Sequence, residues 1–260
     1  MIPGWMIANV LWVGLAFLVI SAITGRRSFS GIGWFFFGIH WVKQPGYYLE
    51  IGDYFNVVLT VVVAFFSFYM AWIILAGVSR SRSCDWASSA VAIGGLIYFP
   101  FAEFAPLSEW LIGQTIHLTV LLMEALQMQA STMGFNEISM NGYSVEVILA
   151  CTAIESIAFF AGVIISVKAP PWKRAKALMV SVPVIYILNL FRNAFVMMAY
   201  GNQWFGADSF QVAHNEIAKL GSTIALFLVA YWVLVLLPEL LNMIDELIKV
   251  LRHPRGGTDR

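Results

Sequence analysis

The sequence is short of charge: only 12% of its 260 residues are Asp, Glu, Lys or Arg, against roughly 25% in an average soluble domain. That deficit excludes a water-soluble globular fold. It also lacks any excess of positive charge, since 15 basic residues balance 15 acidic ones, so it has no electrostatic footprint for a nucleic-acid backbone. It holds two cysteines, Cys84 and Cys151, too few for a disulfide scaffold and without the paired spacing of a zinc site. No His-Glu-x-x-His occurs, so no metal is called for. There is no internal repeat, no low-complexity tract and no polar second domain. What the chain has in abundance is apolar mass, 60% of all residues with 20 Phe and 10 Trp, and this predicts a polytopic all-α membrane helix bundle.

A spanning helix needs about 20 mostly apolar residues, and stretches of that kind between charged clusters number about seven. They fall at about 5–24, 55–78, 86–101, 110–128, 147–167, 177–200 and 209–237. The first is too long, and too poor in preceding positive charge, for a cleaved signal peptide. Between the first two, residues 28–53 interleave Trp34, Phe35, Phe36, Phe37, Trp41, Tyr47 and Tyr48 with Gly and Pro. This is aromatic-belt composition, which predicts a segment along the interface. After Pro238, Leu241, Ile244, Ile248 and Leu251 share one helical face opposite Asn242, Asp245, Glu246 and Lys249, an amphipathic helix for the membrane surface. Residues 1–252 then form one transmembrane domain, with a disordered polar tail at 253–260.

Orientation follows from where Lys and Arg collect. Lys168, Lys173, Arg174 and Lys176 join the fifth and sixth spans, and Lys249, Arg252, Arg255 and Arg260 follow the seventh, so both segments are expected in the cytoplasm. Residues 129–146 and 201–208 contain no Lys or Arg and are expected outside. Seven spans leave Arg80 and Arg82 on the wrong side, a conflict centred on the third and fourth.

An arginine at a helix centre costs roughly 2.5–3.5 kcal/mol on insertion, so such residues usually face a bundle interior and have a purpose. Arg192 is one, about 12 Å from the outer end of the sixth span at 1.5 Å per residue, with Asn189 and Asn193 one turn apart beside it. Cys151 lies about four residues into the fifth span, with Glu155 at the i+4 position. Read singly, Cys151 fits a small buried hydrophobe, Glu155 a structural partner of Arg192, and His214, near the outer end of the seventh span, a solvated side chain. Together they fall in the outer half of the membrane on three consecutive spans. A thiolate needs a base or nearby cation, and acyl transfer needs a donor for the oxyanion. Arg192 and His214 supply both, which makes a cysteine acyl-transfer constellation. Gln114, His117 and Glu124 form a polar stripe on the fourth span, expected as interhelical hydrogen-bonding groups lining the interior.

At these residues the sequence resembles the exosortase and archaeosortase family of membrane transpeptidases, on the archaeosortase side. The resemblance rests on three short motifs in order: Ala150-Cys151-Thr152, Phe191-Arg192-Asn193 and Ala213-His214-Asn215. It implies that Cys151 is the nucleophile, with Arg192 and His214 completing the catalytic set. It further implies substrates that are secreted proteins with a C-terminal signal of three parts: a Pro-Gly-Phe motif, an apolar helix and a basic cluster. The new C-terminus would pass to a membrane lipid, with the site facing outward in the cytoplasmic membrane. Arg192 would stabilise the thiolate or oxyanion, because a guanidinium is a poor base, and His214 would shuttle the proton. Glu155, Asn189, Asn193 and Asn215 are supporting candidates, and no cofactor is required. Three other readings stay open: a transporter or channel with a polar path through Arg192, Glu155, His117 and Glu124, a purely hydrolytic intramembrane protease, and a non-enzymatic assembly partner.

Overall fold

The computed structural model describes residues 9–50, 52–78 and 81–254. The predicted start of the first span at Trp5, the misplaced charge at Arg80 and the tail beyond 254 lie outside them. The described residues are mostly helical, with one small sheet, and the chain divides between two compact units.

The first unit contains Met1–Leu96, Gly162–Lys168 and Glu239–Arg260. Its opening helices are α1 (Val10–Thr24), α2 (Arg27–Val42), the short α3 (Gln44–Glu50) and α4 (Tyr54–Leu75). Residues 28–53 fall largely in α2 and α3, and α2 packs along both α1 and α4. Its glycines explain why. A Cβ on Gly14 would lie 2.9 Å from the backbone N of Phe37, and one on Gly33 equally close to that of Leu18, so the helices touch backbone to backbone, as small residues allow in membranes. The aromatic excess fills the crossing: Trp34 is fully buried, meets Phe66 edge to face, and donates its indole N–H to Ser88 Oγ at 2.9 Å. Asp53 caps α4 by accepting the Asn56 N–H at 3.1 Å.

Helix α5 (Arg82–Glu103) is followed after one extended residue, Phe104, by α6 (Ala105–Ala125), and the two are bent by 93°. The predicted third and fourth spans are this pair. Among the described residues, three helices qualify as membrane spans by length and hydropathy, α4, α8 (Pro171–Gly201) and α9 (Gly206–Leu236), and a fourth if the bent pair counts as one. The described α1 and α7 (Ile154–Ser166) are apolar but shorter. The final helix, α10 (Pro238–Arg252), buries Leu240 and Val250, accepts the Tyr69 hydroxyl on Leu251 O at 2.9 Å, and leaves Leu241 and Ile248 exposed. That outward pair, seven residues apart, retains the apolar face expected of a surface helix.

The second unit contains Ile97–Ala161 and Ala169–Pro238. Here α6 and α8 hold a three-stranded antiparallel sheet, β1 (Ser131–Met133), β2 (Glu137–Met140) and β3 (Tyr143–Glu146), in that spatial order. Asn141 and Gly142 join β2 to β3 with φ of 53° and 82°, the paired left-handed conformations of a type I′ turn, which Asn-Gly adopts readily. Ile138 and Met140 point into a core with Ile116, Met123, Ala194 and Met197. The turn is tied to the end of α8 by Asn141 Nδ2, which donates to Gly201 O and Asn202 Oδ1 at 3.2 and 3.1 Å. The polar stripe of α6 faces the other way from expectation. Gln114, His117 and Glu124 are exposed while Ile112, Thr115, Ile116, Thr119, Val120 and Met123 are buried, because the apolar face is the one the sheet and α8 cover.

Candidate active site

Cys151 does not sit in a helix. The chain leaves β3 extended through Val147 and Ile148, then closes a 3-10 turn at Leu149–Thr152 before α7 begins. The expected helical start at 147 fails because Ala153 takes the left-handed conformation, φ 61° and ψ 10°, which breaks the helix ahead of Ile154. With the turn in place, Cys151 and Glu155 no longer share a face. Glu155 instead accepts the Tyr98 hydroxyl at 3.2 Å, and it is not among the groups brought together.

The others are. Asn189 and Asn193, one turn apart on α8, both donate through Nδ2 to the backbone carbonyl of Cys151, at 2.7 and 3.0 Å. Two buried amides on one acceptor fix the turn that carries the thiol. Arg192, between them in sequence, donates Nη1 to Asn193 Oδ1 at 3.3 Å, and its Nη2 lies 3.2 Å from His214 Nε2. A guanidinium only donates, so His214 Nε2 accepts and the ring proton is on Nδ1. That proton goes to Asn215 Oδ1 at 2.8 Å, and Asn215 Nδ2 donates onward to Gln211 Oε1 at 2.7 Å. Donation thus runs one way, from His214 through Asn215 to Gln211, and leaves the single Nε2 lone pair facing Arg192 and the thiol. The Phe210 ring stacks on the imidazole, 5.2 Å between centroids and 9° from parallel, which holds its plane.

Cys151, Arg192 and His214 are each partly buried and line one pocket with Val145, Glu146 and Phe210. On its turn outside the spanning helices, burial pushes the Cys151 thiol up, but a hydrogen bond with His214, another with the backbone of Ile148 and the Arg192 charge outweigh it. The net result is a thiol below its ordinary value. Cys84 is buried elsewhere and takes no part. Three contributors were missed in the sequence: Gln211 and Phe210, one turn before His214, and the hairpin wall of the pocket, whose signal is Asn141-Gly142 between alternating apolar residues.

Known proteins resemble the chain over nearly its whole length. The family model described as transmembrane exosortase matches residues 2–236. Archaeosortase A of Haloferax volcanii is 29% identical over 289 residues, 95% of this chain and 94% of its own length. Archaeosortase A of Natronomonas pharaonis is 26% identical over 302 residues, 98% of this chain and 93% of its own. No solved structure matches.

Proposed function

The chain belongs to the transmembrane exosortase family, and from that premise we propose that it is a multi-pass membrane sorting transpeptidase with Cys151 as its nucleophile. The observation that carries the assignment is the hydrogen-bonded set around that thiol, with a carbonyl clamp from Asn189 and Asn193 behind it and Arg192 paired to His214 beside it. As Arg192 turns from His214 to the scissile carbonyl oxygen, the freed Nε2 lone pair takes the thiol proton, and the thiolate adds to the carbonyl carbon. Arg192, a permanently charged planar donor, faces the oxyanion that forms. When the C–N bond breaks, the imidazolium returns its proton to the departing amine and a thioester remains on Cys151. An acceptor nucleophile, deprotonated by the same imidazole, then attacks the thioester and releases the thiol.

The two relatives are both archaeosortase A, and this favours the following substrate and acceptor. The substrate is a secreted protein ending in Pro-Gly-Phe, an apolar helix and a basic cluster. The acceptor is a membrane lipid, and the site faces outward. The test is the product mass after the purified chain, in lipid vesicles, meets such a substrate. Loss of the terminal helix with gain of an acceptor lipid is expected, and Cys151→Ala should yield neither. A product that has gained only water would identify a hydrolase, and unimpaired processing by Cys151→Ala would remove the thioester.

A further inference from the structure

In the sheet beside Cys151, β3 is an edge strand. In β3, register assigns Tyr143 to Met140, Ser144 to Ser139, Val145 to Ile138 and Glu146 to Glu137. The Val147 N–H donates to Asn136 O at 2.7 Å, so those two directly opposed residues are a hydrogen-bonded pair. Such pairs alternate along an antiparallel ladder. Val145 and Tyr143 therefore bond inward to β2, while the N–H and C=O of Ser144 and Glu146 point away from it. Among the described residues no strand lies on that side, and both residues are exposed. Open edges of this kind invite pairing, and soluble proteins usually blunt them.

This edge leads into the site. Val145, Glu146 and Val147 line the same pocket as Cys151, Arg192 and His214, and Ile148 carries the chain on, extended, into the turn with the thiol. The Glu146 side chain is drawn toward the other strand by Asn136, which donates to it at 3.0 Å, and that leaves its backbone clear. A peptide lying along β3 with its scissile bond at Cys151 has its preceding residues opposite Glu146 and then Ser144. That fixes its direction as parallel to β3. In a parallel pair the two outward residues bond to alternate residues of the partner, at about 3.3 Å rise per residue.

Resting on the transpeptidase reading above, we propose that β3 is the substrate-docking strand: the extended segment just before the cleavage motif adds to the sheet as a fourth strand. Main-chain bonds of this type give affinity with little demand on side-chain identity. One enzyme can then process surface proteins whose sequences differ upstream of a short motif. The rigid support is the hairpin itself, anchored through Ile138 and Met140 and tied at its turn to α8, the helix that also bears Arg192.

The test uses the full chain in vesicles with a synthetic substrate holding an extended segment, Pro-Gly-Phe, an apolar helix and a basic cluster. Ser144→Pro removes one outward N–H without touching the bonds to β2, a position where an edge strand tolerates proline. It should lower kcat/KM about 3- to 10-fold, the value of one hydrogen bond, and Ser144→Ala, which keeps the N–H, should lose less. Independently of any variant, N-methylation along the upstream segment should impair processing by the unaltered chain at every second residue only. Wild-type rates in Ser144→Pro, or N-methyl effects without that two-residue period, overturn the docking strand. So does a Ser144→Pro chain that changes only its oligomeric state, which would make the edge a contact between copies. Failure of the wild-type chain to process the substrate at all is a different result, and it strikes the transpeptidase reading itself.

Discussion

The clamp on the Cys151 carbonyl makes a quantitative prediction, because two donors share one acceptor. Asn189→Ala removes the 2.7 Å bond but leaves Asn193 at 3.0 Å, so the carbonyl stays satisfied. A neutral hydrogen bond contributes about 0.5–1.5 kcal/mol net, and the variant should process about 2- to 10-fold more slowly. Asn193→Ala loses its own bond and also the anchor for Arg192 Nη1, so about 5- to 30-fold is expected. The double variant goes further than the product of the two. It leaves the carbonyl without either donor, and an orphaned polar group costs about 1–3 kcal/mol. The 3-10 turn then relaxes to find another partner and carries the thiol out of line, a displacement of the kind that costs about 100-fold for 1 Å. Alanine is the best helix former, so α8 itself loses nothing. The assay is single-turnover cleavage in vesicles for all four chains, with thermal unfolding measured beside it. An additional loss of about 5-fold or more in the double variant, at unchanged folding, is the expected coupling. Rates that multiply within about 2-fold would refute the shared clamp.

Arg192 serves Asn193 and His214 through two different nitrogens, so Arg192→Lys, which keeps the charge but not the planar fork, should lose at least about 10-fold in kcat. The Cys151 thiol is held below its ordinary value partly by His214 and Arg192. In a Cys84→Ser background the pH midpoint of its alkylation by iodoacetamide should therefore rise in His214→Ala and in Arg192→Gln, and a midpoint that stays or falls would contradict the pairing. The site's side of the membrane is read by cysteine labelling in a Cys84→Ser, Cys151→Ala background. Thr132→Cys and Ala207→Cys, both exposed, should react with impermeant maleimide on intact cells, and Ala175→Cys should not. The reverse pattern would put the site inside the cell.

Sequence reading found the residues that meet at the site because their signal is chemical. A membrane cysteine, a mid-helix arginine and an interfacial histidine are each costly or conspicuous, and Asn189 and Asn193 flank the arginine at a spacing only a helix makes meaningful. Hydropathy could not find where the helix begins. Residues 147–153 are as apolar as the helix after them, and the break is made by the backbone angle of Ala153, to which composition is blind. Glu155 was misassigned for the same reason, since its place beside Cys151 depended on a helix that had not started. The loop at 129–146 was read only for its lack of Lys and Arg, so the Asn141-Gly142 turn and the apolar alternation around it went unused. In residues 28–53 the aromatic content signals an interface, while it is the contact of Gly33 with Gly14, invisible to composition, that lets α2 pack as a helix.

Around His214, α9 is not an α-helix: Val212–Ala218 is π-helical, and α geometry resumes at Lys219. A π turn accommodates an additional residue, closing hydrogen bonds at i→i+5, and each residue of an α-helix advances the azimuth by about 100°. The imidazole and the lipid-facing run from Leu220 onward are therefore out of phase, and the widened segment is the phase shifter between them. Upstream, the phase is locked by the stack on Phe210 and the Asn215–Gln211 bond. Downstream, α9 packs along α8, buries Val229 and Val233, and leaves most of its residues exposed. The exposed residues of the span can thus change without re-aiming the base, and a one-residue deletion within 212–218 would couple the two phases and swing the histidine off the thiol.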